Sequence, residues 1–119
     1  MDLDTLREIC LAHPGATEEV QWENHLLFKV GGKMFCITNL DDANDTSFKV
    51  ADEDFEELSN SEVFAPAPHL ARAKWVKVMQ PKALKLADWK KHIARSYELV
   101  KAKLPKKVQA TLHSSTKAE

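Results

Sequence analysis

Thirteen of the seventeen Lys and Arg side chains lie after residue 68, among three acids, whereas residues 1–68 hold four bases against fifteen acids. The halves carry −11 and +10 under a total of −1. A base-rich half suits contact with a polyanion or an acidic protein, unless the two halves pack together and neutralise each other. Arg72, Lys74 and Lys77 flank Trp75, whose ring can pack inside or stack and wedge at the surface. Lys90, Lys91 and Arg95 share one side of a long helical pattern, and Lys33 and Lys49 fall in turn and strand patterns. These cations are the candidate phosphate contacts and, with Trp75, make up the candidate binding set.

Other chemistries lack their residues. The histidines His13, His25, His69, His92 and His113 form no HxH, HxxxH or HExxH pair. Ser96 lies on the apolar side of a helix with no strand-to-helix elbow, so it reads as a small packing residue bonded to the carbonyl one turn back. Gly31-Gly32-Lys33 is too short for a phosphate loop and joins two strand patterns. Asp2, Asp4 and Glu8 on the first helix and Asp41, Asp42 and Asp45 in a turn lack the spacing of a hard-cation site and read as solvated acids or caps. Cys10 and Cys36 suit small buried positions. The reading is non-enzymatic, with no catalytic residue, no metal and no cofactor.

The elements that must position the cations follow from periodicity. Residues 3–12 place Leu3, Leu6, Ile9 and Cys10 at helical spacing, with Asp2 or Asp4 as cap and His13-Pro14-Gly15 as stop. Residues 16–24 are polar except for Val20 and Trp22 and read as a connection leading into a strand, with Trp22 either closing a core edge or stacking at the surface. Gly31-Gly32 is a two-residue hairpin loop that needs positive φ at both positions. Strict alternation then pairs Phe28 with Phe35 and Leu26 with Ile37 and puts these residues and Val30 on the core face. Residues 39–45 read as a turn, 46–50 as a strand, and 53–58 as a short helix capped by Asp52. The backbone around Pro66 and Pro68 reads as extended, and residues 74–79 as a strand. Residues 84–104 bury Trp89, Ile93, Ser96, Tyr97, Val100 and Leu104 along one stripe. Residues 106–112 allow a separate turn, and the last seven have no core former.

This order predicts an α+β fold: a small antiparallel sheet packed against helices, with a long C-terminal helix. The length suits one domain, expected over residues 1–108, with a flexible tail at 109–119. Asp2 and Asp4 precede the first base, unlike a signal peptide, and no apolar stretch is long enough for a membrane span. A monomeric, cytoplasmic protein is expected.

Read together, His13-Pro14-Gly15-Ala16-Thr17-Glu18-Glu19, Trp22, the FKVGGKMFC hairpin, Ser47-Phe48-Lys49-Val50, Pro66-Ala67-Pro68, Trp75-Val76 and Ser96-Tyr97-Glu98-Leu99-Val100 resemble the MmcQ/YjbR family, with the run continuing to Lys103-Leu104-Pro105. The family usually has leucine where this chain has His13. The resemblance implies a CyaY-like (frataxin-like) fold and a double-wing arrangement commonly labelled DNA-binding. It carries no catalytic residues. The expected function is DNA binding of low sequence specificity through a basic surface. The alternative is a protein-interaction or adaptor domain that meets an acidic partner.

Overall fold

The computed structural model describes residues 1–117, and their side chains as far as residue 112. Six antiparallel strands form one sheet in the order β1-β2-β3-β4-β6-β5. The strands are β1 (Thr17–Gln21), β2 (His25–Val30), β3 (Lys33–Asn39), β4 (Asp42–Lys49), β5 (Phe64–Pro66) and β6 (Trp75–Val78). Helices α1 (Leu3–Leu11), α2 (Asp52–Ser59), α3 (Leu86–Ala102) and α4 (Lys106–Lys117) complete the chain. The α+β class and the antiparallel sheet backed by helices are as the sequence predicts.

α1 starts where Asp2 accepts a hydrogen bond from the Thr5 N–H at 2.8 Å. It buries Leu6, Ile9 and Cys10 against the sheet. α3 opens with the Asp88 carboxylate accepting from the Lys85 N–H. Its stripe of Trp89, Ile93, Ser96, Tyr97 and Val100 is buried as the periodicity requires. α2 begins one residue before expectation. Ala51 occupies the cap position without a side-chain bond, and Asp52 lies in the first helical turn.

Three local differences follow from the sheet. Residues 17–21, expected as a connection, form edge strand β1, whose partner β2 supplies the pairing that its polar composition does not advertise. β4 begins at Asp42 rather than residue 46. β2 and β3 keep Val30 opposite Lys33, but a bulge then places Phe28 opposite Cys36 and Leu27 opposite Ile37. The extra residue lets both Phe35 and Cys36 be fully buried, and it turns Ile37 onto the face away from the helices.

Ser96 fills that irregularity. Its hydroxyl donates to the Phe35 carbonyl at 2.6 Å and accepts from the Lys49 N–H at 2.9 Å. It bonds across to β3 and β4 instead of back along its own helix. Both lone strand groups are thereby paired inside the core.

One row of the helix-covered face runs Phe28, Cys36, Phe48 and Val76 across four strands, and all four are fully buried. The opposite face carries the row Leu27, Ile37, Ser47, Lys77 and Ala65. No helix covers this second row. The loop at residues 67–74 between β5 and β6 and the turn at residues 22–24 between β1 and β2 flank it.

The expected tail at 109–119 has helical backbone as far as Lys117, and Leu112 joins the core, where it lies against Gly15. Residues 118–119 lie outside the described residues.

Candidate functional site

The β2–β3 hairpin tip lands on the junction between α3 and α4. Gly31 takes φ +56° and Gly32 +82°, as the two-residue loop requires. A Cβ on Gly31 would meet the Leu104 side chain at 2.6 Å and Val108 at 3.1 Å. Around this contact Lys33, Lys103, Lys106 and Lys107 are exposed. Residues 99–117 contain no acid. Lys106 and Lys107 occupy the first turn of α4, where the helix dipole adds positive potential to theirs. The stability of α4 gains nothing from cations there. The result is a corner of concentrated positive charge.

The α3 cations have different surroundings. Lys91 and Arg95 line a groove of about 610 Å³ between α2 and α3, together with Asp54, Glu57 and Glu98. Lys90 is exposed on the other flank and lines a depression with Glu8 of α1. The two acidic helices therefore offset the α3 cations locally.

The remaining candidates are scattered. Lys49 is buried; its ammonium donates to the Ala73 carbonyl, and burial, aided by the nearby Lys103 charge, lowers its pKa. Lys74 lies over the Phe55 ring, 5.0 Å from its centroid. Lys77 pairs with Asp45 at 3.3 Å on the face away from the helices. Arg72 is exposed in the β5–β6 loop. Trp75 is 4% exposed and cannot present a ring to a base in this conformation. Of the two places expected for Trp22, core edge or surface, it takes the surface and is 65% exposed.

Residues 103, 106 and 107 were not singled out by sequence patterning. The only available signal was the acid-free run KAKLPKK, and its value depends on where the hairpin tip lands.

A second feature is a groove of about 460 Å³ on the helix-free face. Trp22 and His69 line it from opposite loops, and both residues have left-handed backbone, with φ +52° and +66°. Such conformations cost about 1–3 kcal/mol each for side chains of this bulk. Ile37, Met34 and Ser47 contribute to the floor, and Asp45 and Lys77 to the wall. The His25 ring meets Trp22 edge-on at 5.9 Å, and its inaccessible Nδ1 has no hydrogen-bond partner.

Two other histidines sit in aromatic clusters. His13 stacks on Tyr97 at 4.6 Å, and His92 stacks on Phe48 at 5.5 Å. Burial lowers the pKa of both. Tyr97 donates its hydroxyl to the Pro14 carbonyl at 2.6 Å. Among the described residues no three His, Cys, Asp or Glu side chains converge as metal ligands. Ser96, with both bonds engaged in the sheet, has no role as a nucleophile.

A six-stranded antiparallel sheet with helices on one face defines a small α+β protein. The chain belongs to the YjbR family, whose model matches residues 11–99. It is similar to the crystal structure of Deinococcus radiodurans protein DR2400, described by the domain name DUF419, with a TM-score of 0.81 and 28% identity. That likeness covers 92% of this chain and 86% of the other. No curated protein matches.

Proposed function

We propose that this protein binds DNA by phosphate contacts at the lysine corner, with low sequence specificity. The exposed group Lys33, Lys103, Lys106 and Lys107, with no acid in residues 99–117, is the observation that carries this reading. Lysines on phosphates give affinity and position but no base readout. The double-wing, CyaY-like arrangement implied by the family resemblance supports the same reading. Arg72 and Lys74 contribute to the long-range field, whereas Lys49 and Lys77 are engaged within the protein. Lys90, Lys91 and Arg95 lie on a flank that acids offset.

Titration of a labelled duplex at rising salt tests the proposal. Four phosphate contacts give a log–log slope of about −3.6 against salt. Replacing all four corner lysines with alanine should flatten that slope and weaken binding tenfold or more at low salt, an order of magnitude set by counterion release. No binding at low salt with tens of micromolar protein would overturn the reading. An adaptor that meets an acidic protein would use the same corner, and its complex would survive nuclease treatment.

A further inference from the structure

We propose that the groove on the helix-free face holds one unpaired nucleobase stacked on Trp22. Trp22 is the largest exposed ring among the described residues, presented by the left-handed turn that it forms with Glu23 between β1 and β2. It and His69 make two lips over a floor that includes Ile37 and Ser47. A volume of about 460 Å³ lies in the range of small-ligand sites and accommodates a base with its sugar.

The polar groups select the ligand's chemistry. Asp45 and Lys77 cancel each other's charge at 3.3 Å, so the groove favours a neutral ring over a phosphate or carboxylate. Side by side they still offer a carboxylate acceptor and an ammonium donor. Guanine presents amino hydrogens and a carbonyl oxygen that complement this pair, as Asp and Lys complement base edges generally. The Ser47 hydroxyl adds a further hydrogen-bonding group. The phosphate then stays outside, at the groove mouth. Choosing a nucleobase among neutral planar rings rests on the DNA-binding reading. The site itself does not need the lysine corner, since it lies on the helix-free face of the sheet, whereas Lys103, Lys106 and Lys107 belong to the α3–α4 junction on the other side.

The base can come from a single strand or from a free nucleotide. Trp75 and Trp89 are buried, so quenching of the exposed indole reports on the groove. A short guanine-containing single strand should quench this fluorescence and bind more tightly than the same sequence as duplex. Trp22→Ala should weaken single-strand binding about tenfold, the scale of one lost stacking contact, and leave duplex binding unchanged. Trp22→Phe should restore most of it. Asp45→Ala should reduce the preference for guanine over thymine strands, and it serves as the test should Trp22→Ala fail to fold.

Quenching by deoxyguanosine monophosphate but not by strands would support the base site and assign it to free nucleotides. No quenching by either probe at millimolar concentration would overturn the proposal, whatever the duplex titration shows. Quenching with no duplex binding would leave the groove standing and remove the lysine corner.

Discussion

The flank of α3 and the α3–α4 corner both carry exposed cations and differ in what faces them. Lys91 and Arg95 look across a groove at Asp54 and Glu57, while Lys103, Lys106 and Lys107 share a segment without acids. In the first place the two oppositely charged halves of the chain neutralise each other. In the second, the segment itself supplies no carboxylate to its lysines. Local density of lysine is therefore a weaker guide to an anion site than the distance to the nearest carboxylate.

The most damaging way to break this contrast is at the hairpin tip. Gly31→Val adds a Cβ 2.6 Å from Leu104 at φ +56°. Strain and overpacking together should cost about 3–4 kcal/mol. Thermal unfolding measures this, and a wild-type melting temperature would show that the tip does not clamp the corner. Lys33→Ala, two residues on, should leave stability nearly unchanged.

Ser96→Ala tests the buried side of the same helix. It strands the Phe35 carbonyl and the Lys49 N–H, at a cost of about 2–3 kcal/mol. Denaturant unfolding reads this loss, and a change under half a kilocalorie would mean that water replaces the hydroxyl.

A smaller effect separates flank from corner by pH. His92 lies in the α3 flank and His13 on Tyr97, and both have pKa values held below the ordinary 6.5 by burial. The folded state thus binds fewer protons than the unfolded state, so stability is full above pH 6.5 and declines as pH falls through the lowered values. Melting temperatures should drop from pH 7.5 to 5.5, and His13→Leu should reduce the drop. The carboxylates Glu18 and Glu19 are also held low, by Arg7 and by Gln21 and Lys29, but they act only below pH 4.5. A flat profile would place both rings in water.

The smallest effect is the sharpest test of the comparison. Lys90, Lys91 and Arg95 changed together to alanine should leave both fold and duplex affinity close to wild type, because the side chains are exposed and the nearby acids already offset them. A loss as large as that from the corner variant would erase the distinction.

What could be read from the sequence was what local chemistry determines. Gly31-Gly32 specified its turn through backbone conformation, and the α3 stripe emerged because every buried position repeats at helical spacing. Edge strand β1 was hidden because Thr17-Glu18-Glu19 carries no alternation and owes its conformation to β2. The bulge leaves no mark in composition, yet it reassigns Ile37 to the helix-free face. The two tryptophans carried the same pair of expectations, core packing or surface stacking, and sequence could not separate them, because exposure is set by the loops that fold over each ring: Trp75 is buried and Trp22 exposed. The site itself was half legible. Lys33 was visible at its turn, whereas Lys103, Lys106 and Lys107 acquire meaning only from the long-range contact of Gly31 with Leu104 and Val108.

Ser96 has a mechanical consequence. A helix lying on a sheet through apolar contacts alone keeps some freedom to shift and re-pack along its axis, because those contacts are not directional. Two directional bonds from one hydroxyl to adjacent strands remove that freedom. A tug on the C-terminal corner is then borne in shear at the middle of the sheet rather than dissipated by creep of α3. The Lys49 amide, at the point where that load is borne, becomes the natural strain gauge of the molecule, and its hydrogen exchange should be among the slowest in the chain.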